Sequence, residues 1–368
     1  MIRLPGLVDV HVHLREPGAT HKEDFDSGTA AALAGGITTV LAMPNTLPPL
    51  IDKKSFRIAL DAAGRKARCD FGVFVGASLD NAEAAAALAP QAAGLKLYLD
   101  HTFGPLLLDD LQAWMAHLVR WPEESGGTPR PIVAHAEQQT LAALLFIAAI
   151  HKRPVHIAHV SRAVEILMIR AAKERGYPVT CEVCPQHLFL TGDEAADTPG
   201  FRSSAGVFKP GRAEVRPRLA TTADRDALWE NLDVIDCFAT DHAPHLLTEK
   251  DGEDPPPGFP GLETMLPLLV TAVLEGRLTL EDLVTRLHDN PRRIFGLPEQ
   301  PETWVEVDPR AVYELRAAEM HTRCGWTPFE GRRVRGRVTR VVLRGEVVYR
   351  DGVVSAPPGT GTNVRQDT

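Results

Sequence analysis

The hydrophobic and polar positions of the chain alternate in a repeated rhythm of short strands and helices. Eight apolar runs of strand length are separated, for the most part, by Ala- and Leu-rich stretches with helical spacing, such as 138–150 and 163–175. Short strands that are apolar on both faces are typical of a parallel sheet covered by helices. The predicted strands are 6–11, 38–43, 70–76, 94–98, 131–135, 155–159, 179–183 and 234–240.

This rhythm predicts an α/β fold of the (β/α)8 TIM-barrel class, which needs eight such units. An open doubly wound sheet is the alternative, but no G-x-G-x-x-G motif follows the first strand. Alternating residues from Arg332 onward, with a "DG" turn, predict a small appended β unit. We therefore expect a barrel over 6–295, an accessory β unit with its connections over 1–5 and 296–354, and a flexible tail or linker over 355–368.

Composition narrows the classes of function. The chain has 368 residues, 44% of them hydrophobic, and a formal net charge of -8. This charge gives no electrostatic reason to expect nucleic-acid or anionic-membrane binding. The longest apolar run, 141–150, is too short to span a bilayer. Five scattered cysteines suit a reducing compartment, so we expect a cytoplasmic protein.

Polar residues gather at the carboxyl ends of the predicted strands. His11 and His13 lie one residue apart in the first strand, so their side chains project to the same face. In a barrel of this class such strand ends meet at one rim, where the chemistry takes place. The residues concerned are His11, His13, Asn45, Lys96, His135, His159 and Asp241. Nitrogen and carboxylate ligands without a thiolate favour zinc.

Lys96 allows two interpretations. A lysine near the rim can extend its ammonium group into solvent. A buried lysine instead tends to lose its proton, and the neutral amine can react with carbon dioxide to give an anionic carbamate ligand. The residue pattern alone leaves both interpretations open.

Six segments together resemble the dihydroorotases of the amidohydrolase superfamily, in particular the dihydroorotase domain of CAD, the animal polyprotein of pyrimidine synthesis. The segments are "PGLVDVHVHLREPG", "MPNT", "GLKLYL", "IVAHAEQQT", "ATDHAPH" and "PPPGFPGLET". The resemblance extends over residues 4–359. It implies the reversible cyclisation of N-carbamoyl-L-aspartate to L-dihydroorotate, a step of de novo pyrimidine biosynthesis.

The resemblance also implies a binuclear zinc site. Its ligands would be His11, His13 and Asp241 for one zinc, and His135 and His159 for the other. Lys96, carboxylated by carbon dioxide, would bridge the two ions together with a hydroxide. Asp241 would additionally carry the proton to and from the ring nitrogen.

Further residues match the family's substrate-binding positions. The substrate carboxylate would be bound by Arg15, Asn45 and His245. Arg216 and the backbone of Pro257 and Gly258 would hold the rest of the ring, although a solvated loop arginine is the alternative for Arg216. The loop "DHTFGP" resembles the family's mobile loop, in which Thr102 and Phe103 reach over bound substrate; an ordinary connecting loop is the alternative.

The sequence departs from the family pattern beside one zinc histidine, where Ala158 replaces a cysteine of some members. A further metal at that place is therefore doubtful, and Glu182 is expected to orient a ligand histidine instead. The resemblance suggests a homodimer. The early first strand and the Pro- and Gly-rich tail suggest a chain fused to carbamoyl phosphate synthetase and aspartate transcarbamylase in a longer polypeptide.

Two other functions compete with this interpretation. An allantoinase or a dihydropyrimidinase (hydantoinase) shares the metal ligands and the cyclic-amide chemistry, and "REPG" occurs in allantoinase-like sequences too. "MPNT" and the pairing of Arg216 with "PPPGFPG" favour a dihydroorotase over both. A catalytically inactive scaffold homologue is the third possibility, but such relatives usually lose metal ligands, and all six positions are present here.

Overall fold

The computed structural model describes residues 1–365, and residues 366–368 lie outside the described part. The strands are β1 (Ile2–Pro5), β2 (Leu7–Val12), β3 (Ile37–Ala42), β4 (Asp70–Val73), β5 (Val75–Gly76), β6 (Leu95–Tyr98), β7 (Glu124–Ser125), β8 (Thr128–Pro129), β9 (Ile132–His135), β10 (Val155–Ile157), β11 (Val179–Val183), β12 (Cys237–Phe238), β13 (Trp304–Glu314), β14 (Arg333–Leu343), β15 (Glu346–Arg350) and β16 (Val353–Val354). The helices are α1 (Phe25–Ala34), α2 (Lys53–Lys66), α3 (Ala82–Ala87), α4 (Leu111–Arg120), α5 (Gln138–Ile150), α6 (Ala163–Glu174), α7 (Pro185–Phe189), α8 (Thr222–Glu230), α9 (Leu247–Lys250), α10 (Met265–Leu274), α11 (Leu280–Val284) and α12 (Asn290–Phe295). A π-helical segment, Thr285–Asp289, joins α11 to α12.

Eight parallel strands close into the predicted barrel. Their order is β2-β3-β4 on one side and β5-β6-β9-β10-β11-β12 on the other, with β4 and β5 forming one strand interrupted at Phe74. The ring closes where Val12 pairs with His242, and the His13 N–H donates to the His242 carbonyl at 2.7 Å. The barrel fold class expected from the sequence is confirmed.

The barrel interior and the helix starts follow from local sequence. Val8, Val10, Leu41, Phe74 and Val133 are buried along the barrel axis, as expected for inward-facing positions of parallel strands. The covering helices begin at polar caps that satisfy free backbone N–H groups. Asp24 accepts from the Ser27 N–H at 2.9 Å before α1, and Asp52 accepts from the Ser55 N–H at 2.8 Å before α2.

The appended β unit is a five-stranded antiparallel sheet. Its order is β1-β13-β14-β15-β16, so the first strand of the chain pairs with a strand formed about three hundred residues later. Helix α10 of the barrel packs against β14. Gly336 allows this approach, because its φ is 88° and a Cβ there would lie 2.3 Å from Val270.

Two segments within the barrel differ from the sequence-based expectation. The eighth barrel strand is confined to Cys237–Phe238, because Leu232–Val234 forms a 3-10 turn first. The expected long loop at 191–221 contains three 3-10 turns. They are Ala195–Asp197, Pro199–Phe201 and Pro210–Ala213. Within residues 1–365, no helix is both long enough and apolar enough to cross a membrane.

The expected flexible tail is wrong for its described part, 355–365. Asn363 pairs with Phe71, and Val364 packs against the axial core. Arg365 is only 9% exposed and donates to the carbonyls of four residues, namely Ala92, Ala93, Phe295 and Gly296. Pro, Gly and Thr predict flexibility only where the chain has nothing to pack against, and here it lies against the barrel. The rest of the expected tail, 366–368, lies outside the described residues.

Candidate active site

A cluster of three ligand-type side chains lies at the carboxyl end of β2 and just after β12. One ligand atom from each of His11, His13 and Asp241 lies within 4.8 Å of the others, and all three residues are buried. Asp241 Oδ1 is 3.0 Å from His13 Nε2 and 3.4 Å from His11 Nε2. Two imidazoles and a carboxylate converging on one point are a typical metal-ligand set.

The Nδ1 atom of each of these two histidines has its own hydrogen-bond acceptor. His11 Nδ1 donates to the Glu182 carboxylate, and His13 Nδ1 donates to Asn45 Oδ1 at 2.6 Å. These bonds leave both Nε2 atoms as lone-pair donors facing Asp241. Metal-binding histidines are oriented in this way by carboxylate and carbonyl oxygens.

A second histidine pair continues the site. His135 Nδ1 lies 3.0 Å from His159 Nε2, so these two ring nitrogens converge as well. His135 Nε2 donates to Glu137 Oε1 at 3.2 Å, the same arrangement as at His11. The ring centroids from His13 to His11, His11 to His159 and His159 to His135 are 5.4, 5.1 and 4.5 Å apart. The structure thus brings all four predicted histidines together.

Lys96 lies in β6 with its amine completely buried. Its Nζ has no hydrogen-bond partner among residues 1–365. Burial lowers the pKa of Lys96 to about 8, against the opposing effect of the Glu182 and Asp241 carboxylates. A buried amine with a lowered pKa and no hydrogen-bond partner does not fit a lysine that reaches solvent.

Electrostatics favour ionised Asp241 and Glu182 carboxylates and a neutral His13 imidazole. Although burial alone would raise the pKa of Asp241, His11, His13 and Lys96 bring it below its usual value. The pKa of Glu182 is likewise low, because His11 and His156 outweigh the effect of burial. Burial lowers the pKa of His13 to about 4. Anionic oxygens beside neutral imidazoles are the protonation states that metal binding requires.

Arg15 and His245 form a polar pocket beside the cluster. Arg15 Nε donates to the Pro244 carbonyl at 3.1 Å, and its Nη2 lies 3.0 Å from His245 Nε2. His245 Nδ1 accepts from Lys22 Nζ at 3.1 Å. Burial and the neighbouring Arg15 and Lys22 cations hold the pKa of His245 far below its ordinary value. Lys22 Nζ also pairs with Glu249 Oε1 at 2.8 Å. The pocket therefore offers the Arg15 cation and a neutral imidazole, which suits a carboxylate ligand.

The loop after β6 folds over this pocket. The Phe103 ring lies 4.8 Å from the His245 ring, and the Arg15 and Lys22 cations are each 5.2 Å from the Phe103 ring centroid. Asn45 Nδ2 donates to the Phe103 carbonyl at 3.0 Å. Asn45 thus connects the loop with His13, because its Oδ1 accepts the hydrogen bond from His13 Nδ1.

Arg216 and the "PPPGFPG" segment lie at the mouth of the barrel. Arg216, Thr102 and Pro257 line one cavity of about 390 Å³. Arg216 Nη1 donates to Glu214 Oε2 at 2.9 Å, so its hydrogen bonds are to its own segment and not to the histidines. Gly258 has a φ of 143°, and a Cβ there would lie 2.5 Å from the Ala243 carbonyl oxygen. Only glycine fits this close approach.

Three of the predicted site residues have a strained backbone. Arg15, His159 and Asp241 have φ values of 57°, 36° and 46°, in the left-handed region that non-glycine residues rarely occupy. Each directly follows, or lies a few residues after, a barrel strand. Such strain concentrates at functional sites, where the surrounding structure fixes the direction of a side chain.

The structure adds polar residues that sequence reasoning missed. Lys22 binds His245, Glu137 binds His135, and His156 Nε2 donates to Glu182 Oε2 at 3.2 Å. Glu137 lies two residues after a predicted ligand, and this spacing is the only sequence signal for it. Lys22 lies in the polar stretch "THKEDF", which is typical of a solvated turn.

Comparisons with known proteins identify relatives of this chain. The first 101 residues match a family model described as Dihydro-orotase-like. The chain is 57% identical to the multifunctional protein CAD of Squalus acanthias over 99% of its own length, and it spans only 16% of that protein. It is 35% identical to the dihydroorotase of Pyrococcus furiosus, covering 97% of this chain and 84% of that enzyme.

Two solved structures share the fold. An L-hydantoinase from Arthrobacter aurescens superimposes with a TM-score of 0.89 at 24% identity, over 99% of this chain and 88% of that one. The inactive dihydroorotase-like domain of a Chaetomium thermophilum CAD-like protein gives 0.81 at 30% identity, over 98% of each chain.

The barrel, the appended sheet and the rim of histidines, with 30% identity to the Chaetomium thermophilum domain and 35% to the Pyrococcus furiosus enzyme, define a protein of the amidohydrolase superfamily. Within that superfamily, this chain belongs to the dihydroorotase family, whose members are metal-dependent cyclic amidohydrolases. The family expected from the sequence motifs is confirmed.

Proposed function

We propose that this chain catalyses the reversible cyclisation of N-carbamoyl-L-aspartate to L-dihydroorotate in pyrimidine biosynthesis. The observation that carries the proposal is the convergence of His11, His13 and Asp241 beside the Arg15–His245 pocket. The cluster suits a metal ion, and the pocket suits the carboxylate that dihydroorotate bears. An uncharged cyclic amide would leave the buried Arg15 cation without a carboxylate bound directly to it.

The residues fit a two-zinc site with a carboxylated lysine. His11, His13 and Asp241 would hold one ion, and His135 and His159 the other, with Lys96 between them. Two bound zinc ions would supply a Lewis acid for the ring carbonyl and a water of lowered pKa as nucleophile. The buried, unpartnered Lys96 amine supports its modification by carbon dioxide.

This chain's own residues would bind the substrate and move a proton. Arg15 and His245, with Asn45, would bind the carboxylate, while Arg216 and the backbone of Pro257 and Gly258 hold the ring. In hydrolysis the amide bond between ring nitrogen and carbonyl carbon breaks. The Asp241 carboxylate accepts the proton of the attacking water and gives it to the departing nitrogen, and cyclisation reverses these transfers. Thr102 and Phe103, on the loop above, would exclude bulk water.

A comparison of substrates tests the reaction. The purified chain should hydrolyse L-dihydroorotate faster than hydantoin or allantoin under the same conditions. Arg15→Met should lower kcat/KM for dihydroorotate by about 10² or more, since a charge-assisted pair with the carboxylate is lost. Faster turnover of hydantoin or allantoin by the unmodified chain would contradict the substrate assignment.

Substituting Lys96 tests the bridging ligand. Lys96→Ala should lose bound zinc and activity together, and short carboxylic acids should partly restore both, because they supply the missing anion. Metal content and turnover are measured on the same sample. Full zinc occupancy and full activity in this variant would show that Lys96 is not a ligand.

A cyclic-amide hydrolase of the hydantoinase type is the second candidate, favoured by the TM-score of 0.89 with an L-hydantoinase. At 24% identity this likeness concerns the fold alone. The likeness to an inactive domain raises the third candidate, a scaffold without activity. Against it, the six ligand-type side chains are all present and five of them converge in pairs or threes.

We infer a homodimer as the working form. The neighbouring helices α5 and α6 carry four large apolar side chains that are 49–68% exposed, namely Phe146, Ile150, Val164 and Leu167. An apolar face of this kind is typical of a protein–protein interface. The chain should therefore elute at twice its 40.1 kDa mass, and Phe146→Glu should shift it to the monomer. A monomer at every concentration of the unmodified chain would contradict the dimer.

We also propose a cytoplasmic location and a place within a larger polypeptide. The five cysteines are all buried and unpaired, which suits a reducing compartment. In Squalus acanthias the matching region is 16% of a multifunctional protein. Carbamoyl phosphate synthetase and aspartate transcarbamylase are the neighbours that we propose for this chain, and no nucleic-acid or membrane partner is proposed.

A further inference from the structure

Lys250 is a completely buried cation outside the metal cluster. It is the last residue of α9 and is 0% exposed. Among residues 1–365 its amine binds no carboxylate: Nζ donates to the Glu214 carbonyl at 2.6 Å and to the Pro256 carbonyl at 2.8 Å. The rings of Phe259 and Trp326 lie 5.5 and 5.6 Å from Nζ.

These two carbonyls belong to the two segments that we assign to the substrate ring. Glu214 lies two residues before Arg216, and Pro256 directly precedes Pro257 and Gly258. The Glu214 carbonyl also accepts from the Gly258 N–H at 3.0 Å. One amine therefore links the segment that carries the ring-binding arginine with the segment that offers its backbone.

A buried ammonium group without a counter-ion is costly. Burial lowers the pKa of Lys250 to about 7, with Glu214 opposing this shift and Arg216 and Arg15 adding to it. Two carbonyls and two aromatic faces offset part of the cost. A neutral apolar side chain would fill the space at lower cost, but the Pro256 carbonyl would lose its Lys250 donor and the Glu214 carbonyl would keep only the Gly258 N–H. The amine is therefore the group that joins the two carbonyls.

We propose that Lys250 is a positioning residue for the substrate ring. Its amine holds the Glu214–Arg216 segment against the Pro256–Gly258 segment, so that the Arg216 side chain and the backbone of Pro257 and Gly258 face one ligand. The inference rests on the proposed function for the identity of that ligand. The link between the two segments stands on the hydrogen bonds alone.

The experiment compares Lys250→Met with Lys173→Met. Lys173 controls for the loss of a lysine that joins backbone segments, because its Nζ donates to the Val234 carbonyl at 2.6 Å, before β12. Unlike Lys250, it also pairs with a carboxylate, that of Asp236 at 2.6 Å. Amide hydrogen exchange of Gly258 and the steady-state kinetics of dihydroorotate hydrolysis are measured for both variants. Zinc content is determined for each sample.

In Lys250→Met the Gly258 amide should exchange at least about tenfold faster, because its acceptor segment is no longer fixed. KM for dihydroorotate should rise about tenfold or more with kcat nearly unchanged, the pattern expected when ground-state binding is lost. Lys173→Met should change neither quantity, and zinc content should match the unmodified chain in both variants.

Unchanged exchange of Gly258, or an unchanged KM in folded, zinc-loaded Lys250→Met, would overturn the proposal. If the Met variant does not fold, Lys250→Gln is used with the same expectations. If the unmodified chain turns over no dihydroorotate, the proposed function is refuted. If the Gly258 amide still exchanges faster in Lys250→Met, the positioning role remains supported. The two failures are therefore distinguishable.

Discussion

The proposed metal-ligand role of His11 and His13 depends on one hydrogen bond at the Nδ1 atom of each ring. His11 donates to Glu182 and His13 to Asn45, and this leaves both Nε2 atoms directed at Asp241. Glu182 is itself held by His156, which lies deeper in the barrel. The geometry of the proposed metal site therefore depends on residues that would not touch the metal.

Glu182→Gln tests this dependence. The amide can still accept from His11 but lacks the negative charge that raises the basicity of the ring. We expect zinc affinity to fall about 10- to 100-fold, in line with other carboxylate–histidine contacts, as measured by competition with a chelator.

Glu230→Gln, at an exposed position at the end of α8, serves as the control and should bind zinc like the unmodified chain. Equal zinc affinity in Glu182→Gln and in the control would show that Glu182 does not orient a ligand.

At the scale of elements, the C-terminal segment 355–365 is part of the barrel and not a tail. Arg365 donates to the carbonyls of Phe295 and Gly296 at the end of α12, and to those of Ala92 and Ala93 before β6. A cation at the carboxyl end of a helix also interacts favourably with the helix dipole. The segment thus ties together two elements that are far apart in sequence.

Arg365→Ala should lower the free energy of unfolding by roughly 2–3 kcal/mol, because buried carbonyls lose a charged donor. Chemical denaturation monitored by circular dichroism measures the change. Arg350→Ala, at an exposed position in β15, should stay within about 0.5 kcal/mol of the unmodified chain. Equal stability of the two variants would mean that the segment contributes nothing to the barrel.

At the scale of the whole molecule, the barrel and the appended sheet are joined by polar contacts as well as by packing. Glu263, before α10, accepts from the backbone N–H of His321 at 2.9 Å and from its Nδ1 at 3.1 Å. This bond with Glu263 raises the pKa of His321 above its ordinary 6.5, although burial opposes the shift. The contact is therefore stronger when His321 is protonated.

This contact makes stability depend on pH. Because the pKa of His321 is higher in the folded state, its contribution is fully present below pH 6.5 and is lost as the pH rises through the folded-state value. The free energy of unfolding of the unmodified chain should exceed that of His321→Gln most at acidic pH, and the difference should shrink at alkaline pH. A difference that is constant with pH would contradict this assignment.

The features that could be predicted from the sequence are those that local patterns determine. The strand–helix rhythm predicted the barrel, and the strand-end positions of His11, His13, His135 and His159 predicted that these rings meet. Lys250 could not be predicted, because "LTEKDGED" is typical of a solvated turn and its carbonyl partners are distant in sequence. Arg365 was misjudged for the same reason, since composition describes a segment and not the surface against which it packs.

The measurement that tests the central claim most directly is zinc-dependent hydrolysis of L-dihydroorotate, with metal content determined on the same sample. We predict turnover by the purified chain with about two zinc ions bound per chain. Folded Asp241→Asn should lower kcat by about 10²- to 10⁴-fold, because the group that carries the proton is lost. Turnover that persists in Asp241→Asn, or none in the unmodified, zinc-loaded chain, would contradict the account.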